Sequence, residues 1–343
     1  MPLVEAANHS LAANTWRSYA TAERHVKRVE IATGIRMTFP FSLKTTLAYT
    51  GYLLGSKEIG GRGVQGKSVE KYLSAIRLLH LQKGVFSPYL KPEIIKQITK
   101  GACNRDQIEK RMMGKTGRLA VTPELMLTLK HRLMQSKMRK SKKRIIWAVS
   151  TISWAGALRI HEILSRNEDK FDPLTTLLAS DITVTKVSMA DKEVEALKIS
   201  IKHPKEERLS AGVVIDVFAT GDFMCPVKAH TDWMRDKVVN LSSSKPMYRL
   251  ADGRLYTGAT FNKDLKVLLK HDVDYNKSPV TAHSFRAGLA TFMAKAGYKD
   301  EDIMKIGRWH SSAFQTYIKE PRIVRAKLAE ELAKKVAQSM VLS

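Results

Sequence analysis

Four short polar segments interrupt apolar sequence downstream of residue 150, and each carries side chains that can act on a phosphate ester. The segments are GALRIHEIL (156–164), HPKE (203–206), AHSFRAG (282–288) and GRWHSSAFQTY (307–317). Between them they contain groups that bind anions, groups that move protons and a hydroxyl that can attack phosphorus. Their combination predicts a site for chemistry on a phosphodiester.

Five side chains would carry that chemistry. Arg159 and Arg286 can clamp the non-bridging oxygens of a pentacoordinate phosphorane, because the guanidinium fork matches that geometry and stays charged. His283 and Lys205 can move protons to and from the bridging oxygens. The hydroxyl of Tyr317 is a feasible nucleophile where positive charge offsets its ordinary pKa near 10. Such a site requires no metal or other cofactor.

Taken singly, these residues also have structural interpretations. Arg159 and Glu162 are three residues apart, so they can form a structural ion pair on one side of a helix. A turn lysine such as Lys205 is usually solvated, and a tyrosine such as Tyr317 usually packs against neighbouring elements. Only the ordered combination favours the chemical interpretation.

The chain has a strong positive charge. Its 343 residues include 58 Lys and Arg against 33 Asp and Glu, which gives +25 at pH 7 and an isoelectric point near 10.0. Residues 1–150 hold +19 of the +25, which leaves +6 for the rest. Such a field favours nucleic acid as the partner, with an anionic membrane or a merely basic protein as alternatives. The length suits two domains, and the 44% apolar content excludes wholesale disorder.

Several classes of protein do not fit the sequence. Cys103 and Cys225 cannot form a disulfide framework, and no Cys/His cluster has the spacing of zinc ligands. MPLVEAANHS lacks the features of a signal peptide. The longest nearly apolar run, IIWAVSTISWAGAL (145–158), is too short to span a bilayer. We expect an intracellular, DNA-associated protein with no membrane partner, nuclear if the host is eukaryotic.

Residues 1–103 are predicted to form a helical DNA-binding domain. Helical spacing of apolar residues marks segments 14–29, 42–54, 66–84 and 91–101, the last ending at Gly101. The third segment also carries polar residues away from its apolar face, which either contact DNA or are simply solvated. These residues are Lys67, Lys71, Ser74 and Arg77.

Residues 104–120 are predicted to be an interdomain linker, because they combine charges, two glycines and no apolar period. A helix then restarts with Thr122 as its N-cap. A basic run without acidic residues follows, which forms a solvated loop, a phosphate contact or a nuclear-import patch. Its members are Lys137, Arg139, Lys140, Lys142, Lys143 and Arg144.

Residues 181–217 alternate with period two, which predicts strands. The clearest are 195–202 and 213–217, and Lys205 lies in the turn between them. Helical patterns resume from residue 226 and include a segment at 321–340 with a narrow apolar stripe. The sequence thus predicts a mainly α fold with a small antiparallel β-sheet.

The order Arg-x-x-Glu, hairpin Lys, His-x-x-Arg, Gly-x-Trp and Tyr resembles the catalytic domain of the tyrosine recombinases, the Cre- and phage-integrase-like site-specific recombinases. The matching segments are ALRIHEIL, AHSFRAG and the stretch from IMKIGRWHSSAF to TYI, with a looser MCPVKA (224–229). They extend over residues 120–330. The segment GRWHSSAFQTYI especially resembles recombinases of Crypton- and DIRS-type mobile elements. The helical N-terminal part of the chain resembles the family's core-binding domain only in its general character.

The resemblance implies a role for each matching residue. Tyr317 would attack the scissile phosphate, forming a 3′-phosphotyrosyl link and freeing a 5′-hydroxyl without metal or ATP. Lys205 would be the general acid, and His283 would assist proton transfer. The two arginines would stabilise the transition-state charge. Trp309 would contact the phosphate, and Glu162 would hold Arg159 in position.

Two assignments remain open within the resemblance. Trp309 is eight residues before Tyr317, whereas the Cre-like pattern has nine, so His310 is an alternative at the phosphate. Lys202 is three residues before Lys205 and is the alternative general acid.

The resemblance also implies domains and partners. A catalytic domain at 121–343 would join the helical core-binding domain in clamping double-stranded DNA at a specific site. The chain would form a dimer on each site and a tetrameric synapse, with segment 321–340 docking into a neighbouring subunit; packing on its own domain is the alternative. Integration or excision of a mobile element is the expected role. A type IB topoisomerase and a domesticated, non-catalytic DNA-binding protein are the competing hypotheses.

Overall fold

The computed structural model describes residues 13–55, 63–115, 117–189, 192–202, 212–235, 243–309 and 314–315. The chain divides into two compact units, residues 1–115 and 116–343. The described residues are mainly helical, with one three-stranded antiparallel sheet, which confirms the predicted fold class. The predictions for Lys205, His310, Tyr317 and segment 321–340 lie outside the described residues.

In its described residues, the first unit has four α-helices around a small core. Helices α1 to α4 are Ala13–Thr33, Leu43–Gly55, Gly66–Gln82 and Glu93–Met112. Helix α2 starts where the sequence predicts, because Ser42 Oγ accepts the Thr45 N–H at 3.2 Å. Side chains from three helices fill the core and are fully buried: Val29, Tyr49, Leu53, Val69 and Ile76.

The prediction of a linker at 104–120 is wrong for residues 104–112. Helix α4 continues through Gly101 to Met112, and the division between the two units falls after residue 115. The charged sequence forms contacts of its own within the first unit, since Asp106 accepts the N–H of Gly66 at 2.8 Å. Missing apolar periodicity therefore marks an exposed helical stretch in this unit rather than a linker.

The second unit combines helices with the sheet. Its helices α5 to α11 are Pro123–Gln135, Lys140–Ala155, Ile160–Ile163, Pro226–Met234, Gly258–Leu268, Ala282–Lys295 and Asp300–Gly307. Strands β1 to β3 are Ile182–Met189, Lys192–Ile201 and Val213–Phe218, paired antiparallel in chain order. Leu197, at the centre of the sheet, lies opposite Val184 on one side and Val217 on the other. The two strands predicted around Lys205 are thereby confirmed.

Helix α6 is the central helix of this unit. Its apolar run is buried almost throughout, and it packs against α8 and α10. The nearly apolar run 145–158 forms a core helix over residues 145–155, and residues 156–158 lie beyond the end of that helix. In the part of the chain that is described, no helix is long and apolar enough to cross a membrane. The C-terminal end of α6 leads directly into the candidate site.

Candidate active site

The chain turns sharply between α6 and α7, and this turn offers backbone carbonyls to two arginines. Ala157 has a left-handed backbone (φ 47°), which is uncommon for a residue with a Cβ atom. The Gly156 carbonyl accepts a hydrogen bond from Arg308 Nη1 at 3.2 Å, and the Ala157 carbonyl accepts one from Arg286 Nη1. The turn thus brings together side chains from residues 286 and 308 beside Arg159.

Glu162 is a nearly buried carboxylate shared by two arginines. It accepts the backbone N–H of Arg159 at 2.8 Å and Nη1 of the same residue at 3.0 Å. Its Oε2 also accepts Arg308 Nη2 at 3.0 Å. The Glu162 side chain is 5% exposed, and those of Arg159 and Arg308 are 16% and 15% exposed. The three side chains together carry a formal charge of +1.

The Arg159–Glu162 pair forms as expected, but its backbone setting differs from the prediction. Arg159 does not lie on a helix: it precedes α7 in an extended conformation (φ −78°, ψ 142°), and Glu162 sits in the first turn. The Glu162 carboxylate therefore caps the helix start while it holds the guanidinium of Arg159. One side chain fixes both the backbone and the side chain of Arg159.

Arg286 is among the most enclosed charged residues, with 1% of its surface exposed. Its Nη1 donates to the Ala157 carbonyl, and its Nη2 donates to the Gly307 carbonyl at 2.5 Å. Its guanidinium carbon lies 4.4 Å from the ring centre of Trp309, a cation–π arrangement. Carbonyls from two distant segments and an indole face therefore hold the orientation of this side chain.

Trp309 packs against Arg286 and Phe314, and it is 8% exposed. Its indole lies over the position of Gly307, where any added Cβ atom would overlap the ring. The glycine of the Gly-x-Trp motif is therefore required by the close approach of the indole. Trp309 thus serves here as the platform on which Arg286 rests.

His283 lies at the start of α10, one helical turn before Arg286, and it is half-buried. The helix start is anchored because Asn262 Oδ1 accepts the Ala282 N–H at 2.8 Å and the Ser284 carbonyl accepts the Val121 N–H at 3.0 Å. Spacing of i, i+3 puts the histidine and the arginine on the same side of the helix.

Lys202 is committed to contacts of its own. Its Nζ forms an ion pair with Asp181 at 2.7 Å and donates to the Pro173 carbonyl at 2.9 Å. Lys202 also lines a narrow cleft that includes His161 and Glu162, so the end of β2 lies next to the shared carboxylate. An ammonium held by a carboxylate and a carbonyl is poorly placed to protonate a substrate oxygen. This geometry counts against Lys202 as the general acid.

The polar residues of α3 divide into two groups. Lys67, Lys71 and Ser74 are exposed, as a DNA contact requires, although Ser74 Oγ donates to the Glu70 carbonyl of its own helix. Arg77 is half-buried and donates to the Leu90 carbonyl at 3.2 Å, and burial lowers its pKa. Arg77 therefore braces the first unit instead of extending from it.

The basic run before and within α6 divides in the same way. Lys137, Arg139 and Lys140 are exposed, and Arg144 is half-buried. Lys142 forms an ion pair with Asp264 at 2.8 Å, and Lys143 donates to the Met134 carbonyl at 3.1 Å. The first three are available to a phosphate backbone, whereas Lys142 and Lys143 stabilise the fold.

Arg308 is the site residue that the sequence analysis missed. It occupies the variable position of the Gly-x-Trp motif, although a basic residue between two motif positions is itself a signal. It ends α11 in the left-handed conformation (φ 52°). In the described residues, Ala157 and Arg308 are the two non-glycine positions with positive φ, and both belong to this site. Strained backbone of this kind concentrates at functional sites.

The described residues also bear on metal binding. They contain no group of three or more His, Cys, Asp or Glu side chains that could hold a metal ion. The polar groups whose contacts converge here are guanidiniums, one carboxylate and backbone carbonyls. Such a set is suited to binding an anion and stabilising negative charge.

No family model matches the sequence, and no curated protein matches it. Similar folds occur among solved structures of integrases and recombinases. The Tn1549 transposon integrase in complex with transposon right-end DNA has a TM-score of 0.57 at 14% identity, covering 96% of this chain and 98% of that one. A lambda integrase dimer bound to a COC′ core site has a TM-score of 0.53 at 13% identity, covering 92% of each chain.

The XerH site-specific recombinase bound to palindromic difH substrate is a third example, with a TM-score of 0.53 at 11% identity, covering 94% of this chain and 78% of that one. The chain therefore has the fold of the tyrosine recombinases and integrases. This confirms the fold that the order of the motifs implied.

Proposed function

We propose that the chain is a site-specific DNA recombinase that cleaves and rejoins DNA through a 3′-phosphotyrosine intermediate, without metal or ATP. The observation that carries the proposal is the convergence of three arginines, two of which share the Glu162 carboxylate while backbone carbonyls and an indole hold the third. Arg159, Arg286 and Arg308 come from segments far apart in the sequence, and contacts fix each of them. A concentration of oriented guanidiniums is what a pentacoordinate phosphorane needs.

Contacts within the protein itself orient the arginines. Glu162 holds Arg159, whose side chain is 16% exposed, and a guanidinium fixed in this way is suited to binding a non-bridging oxygen. Arg286 rests on Trp309 and adds positive charge behind the phosphate. Because the dipoles and charges are set beforehand, little reorganisation is needed as negative charge develops on the phosphorane.

The proton transfers follow from the bonds that change. The oxygen of Tyr317 bonds to phosphorus while the bond to the 5′-oxygen breaks. His283 assists removal of the phenol proton, and Lys205 donates a proton to the leaving 5′-oxygen. A second strand's 5′-hydroxyl reverses the steps, which conserves the bond energy in the phosphotyrosyl link.

The position of Phe314 supports Tyr317 as the nucleophile. Phe314 is 1% exposed and packs against Trp309, with ring centres 5.8 Å apart. Tyr317 is three residues further along the chain, and three residues extend at most about 10 Å. The backbone is therefore anchored at the arginine site within reach of the tyrosine.

The DNA grip and the assembly complete the proposal. Exposed lysines on α3 and at the start of α6 would bind phosphates, so binding should weaken steeply with salt. The lambda integrase relative is a dimer on its core site, and we infer a dimer on each site and a tetrameric synapse here, joined through segment 321–340. The role would be integration or excision of a mobile element, in the nucleus if the host is eukaryotic.

A covalent adduct tests the proposal. A duplex enriched by binding from a random-sequence pool is prepared as a set of nicked suicide substrates, each with the nick at a different position. We expect the wild type to become attached to a 3′ end, and Tyr317→Phe to bind but form no adduct. Tyr298→Phe, which alters an exposed tyrosine of the same unit, is the control and should react normally.

Other outcomes identify the competing functions. Tight binding without any adduct at any nick position would favour a non-catalytic DNA-binding protein. Relaxation of supercoiled plasmid by a chain that stays monomeric on DNA, without recombination, would favour a type IB topoisomerase. Recombination between two copies of the enriched sequence is the outcome that the proposal requires.

A further inference from the structure

We propose that Arg308 is a positioning residue of the active site, which acts on Arg159 through Glu162 and on Arg286 through its own backbone. This inference rests on the proposed function and adds a residue to its site. Arg308 Nη2 bonds to Glu162 Oε2 at 3.0 Å, and Nη1 bonds to the Gly156 carbonyl at 3.2 Å. One side chain thus joins the end of α11 to both sides of the turn that presents Arg159.

The first consequence is electrostatic. A lone Arg159–Glu162 pair would be formally neutral, and the carboxylate would take up much of the charge meant for the phosphate. Arg308 shares that carboxylate and brings the trio to +1, inside a region where the side chains are 5% to 16% exposed. At such low exposure a charge acts with less screening than in water. Arg159 therefore keeps more positive potential toward the substrate.

The second consequence is geometric. Residues 307–309 meet the site at three consecutive positions: the Gly307 carbonyl accepts from Arg286, the Arg308 side chain binds Glu162, and the Trp309 indole stacks on Arg286. Arg308 holds its left-handed conformation between the other two, with its N–H donating to the Lys305 carbonyl at 3.1 Å. Loss of the Arg308 side-chain contacts would therefore loosen the Gly307 carbonyl and the Trp309 indole, two of the groups that hold Arg286.

The chain offers a matched comparison in the Arg132–Asp272 pair. This is also an arginine–carboxylate pair between residues distant in sequence, with Nε at 2.9 Å and Nη2 at 2.8 Å. It differs in location, since its side chains are 39% and 19% exposed, and its carboxylate is Asp272 rather than the Glu162 that Arg159 and Arg308 share. Arg132→Gln therefore removes an ion pair of the same kind without touching the site.

The experiment measures single-turnover cleavage of the nicked duplex at saturating protein, together with duplex affinity. We expect Arg308→Gln to cleave about 100-fold more slowly, because displacement of a catalytic group by 1 Å costs about that much. Its dissociation constant for the duplex should change by less than about threefold, since the lost contacts are within the protein. Arg308→Lys keeps the charge and should recover about tenfold of the loss. Arg132→Gln should cleave like the wild type.

A double-mutant cycle separates positioning from general stabilisation of the fold. In a Glu162→Gln background the carboxylate is gone, so Arg308→Gln should slow cleavage by much less than it does in the wild type. Equal slowing in both backgrounds would overturn the proposed action on Arg159, because Arg308 would then act independently of Glu162. Urea unfolding of each variant confirms that the compared proteins are folded under the assay conditions.

A modified substrate distinguishes positioning from direct contact with the phosphate. A methylphosphonate at the scissile position removes the negative charge of one non-bridging oxygen. If that substrate restored Arg308→Gln to the wild-type rate, Arg308 would be a direct neutralising contact and the positioning role would be wrong. A persistent defect on both substrates supports positioning.

The wild-type result keeps the two levels of inference apart. If the wild type forms the adduct and Arg308→Gln forms it equally fast, the role of Arg308 is refuted and the proposed function stands. If the wild type forms no adduct with any substrate in the set, the proposed function fails, and the role of Arg308 fails with it.

Discussion

Replacing Glu162 with glutamine should strongly destabilise the second unit, although the change is nearly isosteric. The carboxylate accepts three hydrogen bonds, two of them from the guanidiniums of Arg159 and Arg308. A glutamine amide has one oxygen and presents an NH2 group where the second oxygen stood. At least one donor is then left without an acceptor, and two like charges lose the group that separates them.

The magnitude follows from the burial of the three side chains. Removing one partner of a fully buried ion pair costs about 3–5 kcal/mol, and a hydrogen bond to a charged group contributes about 1.5–3 kcal/mol. The two guanidiniums are 16% and 15% exposed, so water offsets part of the penalty. We expect the free energy of unfolding to fall by about 3 kcal/mol.

Equilibrium urea denaturation followed by tryptophan fluorescence can measure this loss in the full chain. Four of the five tryptophans lie in residues 116–343, so the signal reports mainly on the unit that contains Glu162. Asp272→Asn is the control, because it breaks the more exposed pair with Arg132 and should cost less than about 1 kcal/mol. Equal losses for the two variants would refute the view that Glu162 holds the site together.

Three further predictions concern other parts of the fold. An added Cβ at Gly288 would overlap a backbone carbonyl, so Gly288→Ala should lower the free energy of unfolding by about 1–3 kcal/mol in urea melts. Gly101 is at an open helical position, so Gly101→Ala should raise the same free energy by about 0.5–1 kcal/mol. Burial lowers the pKa of His230 to about 4, so below pH 6.5 the unfolded chain binds more protons than the folded chain. The free energy of unfolding should therefore fall by about 3 kcal/mol as the pH is lowered toward 4. His230→Gln should flatten that part of the pH profile. Lys71→Gln should reduce the salt slope of DNA binding by about 1, while Arg77→Gln should destabilise the first unit and leave the slope unchanged, as salt titrations and urea melts can establish.

The sequence alone predicts the secondary-structure elements and the order of the site residues. The helices of the first unit and the strands on either side of Lys205 follow from periodicity, since each buries one face of its own sequence, and the core helix α6 follows from a nearly continuous apolar run. The motif order alone implied the fold that the solved recombinases and integrases share with this chain. Residues 104–112 escaped prediction because an exposed helix has no apolar period to detect.

What each polar side chain contacts depended on the tertiary structure. Arg308 and Glu162 are 146 residues apart, a separation that no short sequence motif spans. Only packing brings Arg308 Nη2 to 3.0 Å from Glu162 Oε2. The same holds for Lys202, the alternative general acid, which binds Asp181, and for Lys142 of the basic run, which binds Asp264.

The physical reason is the distance along the chain over which each kind of interaction acts. Periodicity and capping act over a few residues, so the sequence by itself determined where helices and strands form and which residue types lie near them. Whether Arg308 faces a phosphate or a carboxylate is decided by an element 146 residues away. The tertiary structure alone assigned Arg286 to its indole platform and Arg308 to the carboxylate that it shares with Arg159.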